Sequence, residues 1–91
     1  MSITYDPNKN QLNIERRGLS FDRVSELDWD NVWAYEDKRN EYDEVRYIVY
    51  GTLDERLHFV CFTETEQGIR VISFRKANNR EVKRYEQATL D

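Results

Sequence analysis

Three segments in the second half of the chain, Val45 to Tyr50, Leu57 to Thr63 and Ile69 to Arg75, are rich in β-branched and aromatic residues. Only Gly51 to Arg56 and Glu64 to Gly68 separate them. Such segments suit the pleated surface of a sheet, and connections this short join neighbouring strands antiparallel. A meander is therefore predicted, against which the rest of the chain must pack. A short strand is also predicted within Asn31 to Glu36, which holds Val32, Trp33 and Tyr35, while the acidic segment Glu36 to Glu44 reads as a loop.

The N-terminal part reads as helical. Asp6 can cap a helix with Pro7 at its first position, and Gly18 provides a stop, which predicts a helix over Pro7 to Arg17. Ser20 can cap a second helix carrying Phe21, Val24 and Leu27 and ending near Trp29. Asn78, with Glu81 three residues on, forms a capping box for a terminal helix through Tyr85. The predicted class is α+β: two N-terminal helices, a four-stranded, mainly antiparallel twisted sheet and a C-terminal helix, with the helices on one face of the sheet.

Ninety-one residues suffice for a core without disulfides or a structural metal, and one domain spanning residues 1–91 is expected. The single cysteine, Cys61, lies in an apolar run and reads as a buried, inert thiol. One His and one Cys without metal-ligand spacing predict no metal site, and no cofactor is expected. No segment is apolar enough to span a bilayer, and Met1 to Gln11 lacks the apolar stretch of a secretory signal, so a cytoplasmic protein is expected. The net charge of −4 argues against general nucleic-acid binding, but the charge is uneven. Residues 1–65 carry 8 basic and 14 acidic side chains, and residues 66–91 carry 6 and 4, so a phosphate site should involve the C-terminal quarter.

Three blocks, in this order and spacing, resemble the BrnT family of ribonuclease toxins. The first is Tyr5-Asp6-Pro7-Asn8-Lys9 with Asn13 and Arg17-Gly18-Leu19-Ser20-Phe21; the second is Glu44-Val45-Arg46 leading to Gly51; the third is Arg70 through Ala77 with Glu81 and Tyr85. The resemblance covers nearly the whole chain. It implies a RelE-like fold, RNA cleavage, and silencing by a cognate BrnA-like ribbon-helix-helix antitoxin that itself binds DNA. Contact of the toxin with DNA would then be indirect, through the antitoxin. Arg17 stands where family members commonly carry histidine.

Metal-free RNA cleavage requires a base near the 2′-hydroxyl, an acid for the leaving oxygen, and cations around the phosphorane-like transition state. Arginine binds phosphate through a planar fork and stays charged, which singles out Arg46, Arg70 and Arg75 on predicted strands. Solvent-facing arginines are the alternative. Strand alternation puts Arg70 in phase with Ile72 and Phe74, but Arg75 in phase with Val71 and Ser73, so a bulge or a site at the sheet's end is needed to unite them.

Glu64 is a candidate base or arginine partner, set against a solvated turn residue; Lys76 and Tyr85 are candidate RNA-binding residues, with Tyr85 equally placed to anchor a helix. His58 has the best intrinsic acid–base chemistry but lies outside the blocks, and a surface histidine is the reading preferred for it. Arg80, Lys83 and Arg84 read as a solvated helix face or a phosphate track, and Glu36 to Glu44 as a surface for a basic antitoxin segment. Beside the ribonuclease toxin stands a second reading, a non-catalytic interaction module of the same fold that binds a basic partner.

Overall fold

The computed structural model describes residues 1–90. Strand β1 (Ser2–Thr4) precedes helix α1 (Pro7–Arg17), and two 3₁₀ turns, Phe21–Glu26 and Trp29–Asn31, lead to β2 (Trp33–Glu36). Strands β3 (Tyr47–Leu53), β4 (Arg56–Glu64) and β5 (Gly68–Lys76) follow, then helix α2 (Asn79–Ala88). The sheet order is β1-β5-β4-β3-β2, with β1 parallel to β5 and the other pairs antiparallel.

This corrects the predicted architecture. There is one N-terminal helix, not two, because the segment after Ser20 winds as 3₁₀ turns. Ser20 does cap it, its Oγ accepting from the Asp22 amide at 3.2 Å. Phe21, Val24 and Leu27 are all buried, and their strict spacing of three matches the three-residue period of a 3₁₀ turn better than the 3.6 of an α-helix. The sheet has five strands and is mixed, because Ser2–Thr4 pairs with Gly68–Arg70 some 65 residues away. A three-residue strand whose partner is that distant leaves no local pattern to read.

The sheet is also covered on both faces rather than one. On the first face, Phe21, Val24 and Leu27 pack with Val49, Val60, Phe62, Val71 and Phe74. On the second, Val82 and Tyr85 of α2 pack against Ile48, Tyr50, Phe59, Cys61 and Ala77. Capping explains both helices. Asp6 accepts from the Asn8 amide at 2.9 Å and Gly18 closes α1 in the left-handed region at φ 64°, while Asn78 and Glu81 form a reciprocal box at the start of α2.

The β3–β4 hairpin turns on two residues, Asp54 and Glu55, at φ 51° and 62°, the positive angles required at both centres of a type I′ turn. Gly51 lies inside β3, not in a turn, and a Cβ there would come within 3.0 Å of Val32 Cγ1, which suits the position to glycine. Strands β4 and β5 are in register from Phe62↔Val71 toward Glu64↔Ile69, but the next pair is Cys61↔Ser73, which leaves Ile72 as an extra residue in β5.

Helix α1 buries no side chain completely and is held by amides instead. Asn13 Nδ2 donates to the carbonyls of Leu19 (2.9 Å) and Phe74 (3.0 Å), and the Phe21 amide donates to Asn10 Oδ1 (2.7 Å). The helix therefore lies along the part of β5 that β1 leaves uncovered, presenting Lys9, Arg16 and Arg17 beside Ile72 and Ser73.

At Gly68 a Cβ would overlap the Ser2 carbonyl. Gly68→Ala is expected to unseat β1, speed amide exchange at Ile3 and Thr4, and cost about 1–3 kcal/mol. Native protection of those amides in the variant, measured by hydrogen exchange, would show that β1 tolerates the methyl group.

Candidate active site

The extra residue at Ile72 decides which side chains share a face. Arg75 pairs with Phe59 and Arg70 with Thr63. Phe59, Cys61 and Thr63 alternate onto one face of β4, so the bulge brings Arg70 and Arg75 onto that face together. Arg46, two residues before Ile48, joins the same face from the position just before β3. The parity conflict in the sequence is resolved by a bulge.

Arg46 and Arg70 then line one cleft of about 270 Å³ with Asp6 and Lys9 from the start of α1, Glu44, and Thr63. All three sequence blocks therefore converge here, from the first, middle and last thirds of the chain. Arg46 is oriented on two sides. Its Nε donates to Glu44 Oε1 at 3.0 Å, and its guanidinium lies 4.0 Å from the centre of the Tyr42 ring. The terminal nitrogens of Arg46 have no protein partner among the described residues, and Lys9 and Arg70 make no ion pair among them.

The segment that carries Tyr42, Glu44 and Arg46 is pinned by a buried carboxylate. Asp37 accepts from Arg39 Nε and Nη2, both at 2.8 Å, and from Tyr42 Oη at 3.1 Å, while its amide donates to the Arg46 carbonyl at 2.7 Å. The Arg39 fork holds the Asp37 carboxyl far below the usual carboxylate range against the cost of burial. Cys61 is buried beneath, as expected; burial first, and then the charge of Asp37, push its thiol pKa up, which disfavours the reactive thiolate.

Arg75 does not enter that cleft. Its Nη1 and Nη2 bind the two oxygens of Glu81 at 2.8 and 3.1 Å, and its guanidinium lies 4.1 Å from the centre of the Phe59 ring. Glu81 is 5% exposed and also accepts from Tyr50 Oη at 3.0 Å and from the Asn78 amide at 2.9 Å. Burial alone would raise its pKa, but these hydrogen bonds outweigh it and hold the value at about 2. Tyr85 anchors α2, its hydroxyl donating to the Asn31 carbonyl at 2.9 Å. Glu64 faces the opposite side of the sheet, beside Ala34, Tyr47, Val49 and Phe62.

Lys76 lies elsewhere again, in a larger cleft of about 560 Å³ at the other end of β5, with Arg17, Arg23, Arg56 and His58. His58, expected at the surface, is only 3% exposed and packs on Phe74. Its Nδ1 lies 2.8 Å from the Arg56 carbonyl, which can only accept, so Nδ1 carries the proton. Burial pushes its pKa down, which favours the neutral ring.

Lys9 and Glu44 are cleft residues that side-chain chemistry alone did not single out as catalytic candidates. Both lie in the resemblance blocks, and Lys9 has a further signal: a cation in the first turn of a helix opposes the macrodipole, and apart from the N-cap Asp6 that end of α1 carries no acidic residue.

The family model described as "Ribonuclease toxin, BrnT, of type II toxin-antitoxin system" matches residues 5–81. The chain belongs to the BrnT family. Membership makes it a ribonuclease toxin of a type II toxin–antitoxin system, with RNA as substrate and an antitoxin as partner. Among curated proteins, none matches the chain. No helix among the described residues is long and apolar enough to cross a membrane.

The Glu81 network has a pH signature. The carboxyl has a pKa near 4.5 when unpaired and about 2 in the fold, so its contribution to stability is complete above about pH 4.5 and is lost as the pH falls toward 2. Glu81→Gln should cost roughly 3 kcal/mol at pH 7 by leaving Arg75 without its counter-charge. It should also flatten the pH dependence between 4.5 and 2. Urea unfolding at several pH values checks this; an equally steep acid loss in the variant would assign it to other carboxylates.

Proposed function

We propose that this BrnT toxin cleaves RNA by metal-independent transesterification in the cleft formed by Lys9, Arg46 and Arg70. What supports this reading above all is the meeting there of the three sequence blocks around two arginines and a lysine. The substrate 2′-hydroxyl loses its proton to a cleft carboxylate, for which Glu44 is the candidate, and its oxygen forms a bond to phosphorus. The bond from phosphorus to the 5′-oxygen breaks, and that oxygen takes a proton, for which Lys9 is the candidate donor. The products are a 2′,3′-cyclic phosphate and a free 5′-hydroxyl.

In this assignment Arg46 and Arg70 hold the non-bridging oxygens as negative charge develops on them. Arg75 acts at a distance: with its charge taken up by Glu81, it seats α2 and fixes that end of the sheet face. Tyr85 has a similar anchoring role. Glu64 contributes no proton transfer here, because it projects from the other face. Lys76 contacts RNA away from the scissile bond.

The antitoxin, in this reading, is a BrnA-like ribbon-helix-helix protein through which any contact with DNA is made. Its basic segment meets the exposed acidic side chains Glu36, Glu41, Asp43 and Glu44, next to the cleft, so binding would cover the RNA site. A toxin that acts on cellular RNA works in the cytoplasm.

Cleavage of a defined RNA by purified protein in EDTA tests the reaction. Lys9→Ala, Arg46→Ala and Arg70→Ala should each lower kcat/KM by about 100-fold or more while remaining folded, the usual loss on removing one stabiliser of developing charge. Wild-type products should carry cyclic phosphate ends. Full activity in a folded Arg46→Ala, Arg70→Ala double variant would remove the site; no cleavage by wild type, with or without ribosomes, would remove the reaction.

A further inference from the structure

Eight of the chain's fourteen Lys and Arg residues line three clefts beside α1 and β5, against three of its eighteen Asp and Glu residues. The clefts are continuous. Lys9 and Ile72 border both the proposed catalytic cleft and a hollow of about 210 Å³ in the middle, and Arg17 borders both that hollow and the large cleft containing His58 and Lys76. Six of the basic residues, Lys9, Arg16, Arg17, Arg56, Arg70 and Lys76, make no ion pair among the described residues.

We infer that these clefts form one phosphate-binding trough that carries a single RNA strand from the scissile site, along α1, to a distal subsite at Arg17, Arg56 and Lys76. The inference rests on the proposed ribonuclease activity and deepens it by naming how much RNA is held and where. From Arg70 to Lys76 the strand β5 covers about 20 Å at some 3.3 Å per residue, and α1 alongside it about 16 Å at 1.5 Å per residue. That length suits a segment of about four or more nucleotides, the lower end for grooves that track single strands.

The helix dipole accounts for only part of this arrangement of charge. Arg16 and Arg17 suit the last turn of α1, but Lys9 in the first turn opposes the helix dipole. The three have in common the side of α1 that borders Ile72 and Ser73. At the distal end, Arg23 is neutralised by Glu26 and Asp54 at 3.2 and 2.9 Å, which leaves Arg17, Arg56 and Lys76 as the cations available to a phosphate. His58, fixed by the Arg56 carbonyl, sits among them as a neutral polar group. No exposed aromatic ring lines the trough, so it tracks the backbone and does not read bases.

Fluorescence anisotropy with uncleavable 2′-O-methyl RNA of about three and about twelve nucleotides separates the distal subsite from the catalytic cleft. Arg17→Glu and Lys76→Glu should each weaken binding of the longer probe tenfold or more, with a much smaller effect on the trinucleotide. They should also reduce the salt dependence, by about 0.7 in log–log slope for each phosphate that is no longer neutralised. In cleavage of the long substrate the defect should fall on KM more than on kcat. Lys38→Glu, the same change of charge outside the trough, should alter affinity by less than twofold.

Equal losses for both probe lengths, or an equal loss in Lys38→Glu, would overturn the trough. So would wild-type RNA affinity in folded Arg17→Glu and Lys76→Glu proteins that still cleave RNA, and if those variants had lost the antitoxin instead, the basic surface would belong to that partner. A wild-type protein that neither binds nor cleaves RNA would remove the trough and the proposed activity together.

Discussion

One extra residue in β5 governs both the core and the site. In a regular strand Ile69 and Val71 would share a face with Ser73, and Phe74 would point the other way. With Ile72 bulged out of register, Ile69, Val71 and Phe74 all enter one core, and Arg70, Ser73 and Arg75 fall on the opposite face. A one-residue slip reverses every side chain beyond it, so the bulge cannot be removed without exposing Phe74 or burying Arg75. The apolar packing that stabilises one face thus fixes where the cations stand on the other.

That second face is closed at two places by a buried carboxylate held by an arginine fork. Glu81 with Arg75 seats α2, and Asp37 with Arg39 seats the segment leading to Arg46. In both pairs the carboxylate is desolvated while the arginine remains partly exposed, so removing the arginine would strand a buried charge. The pairing also sorts the arginines. Arg75 and Arg39 have their forks occupied, whereas Arg46 is bound only through Nε and Arg70 has no acidic partner among the described residues. Candidate phosphate ligands are found among the second kind, because a fork already bound to a carboxylate would have to surrender that partner to bind an anion.

Local chemistry made much of this legible in the sequence. Asp6, Pro7 and Gly18 delimit α1, Asn78 and Glu81 open α2, and the strand runs lie close to their positions in the sheet. The misses have a common cause, which is that distant partners decide the outcome. Ser2–Thr4 becomes a strand only because Gly68 lets its backbone approach, and the stretch after Ser20 is 3₁₀ because the core accepts side chains at a spacing of three. The resemblance blocks contain Arg46, Arg70 and Lys9, which the fold brings to one cleft, but they do not show the engagement of Arg75 by Glu81 or the face on which Glu64 stands. Those depend on tertiary partners and on the phase of a bulge.

Net charge says less about such a site than the placement of the charges does. A chain at −4 reads as a poor nucleic-acid ligand, yet potential at a surface is set by the nearest charges and is screened over about 8–10 Å in physiological salt. Much of the acid lies in exposed segments such as Glu36 to Glu44, while the base is concentrated beside α1 and β5. Such segregation does two things at once. The cationic stripe remains attractive at short range, and the acidic remainder repels nucleic acid approaching from other directions, which disfavours non-productive binding. In the proposed complex, a basic antitoxin segment seated on those acidic side chains would inhibit by covering the RNA site, not by mimicking RNA.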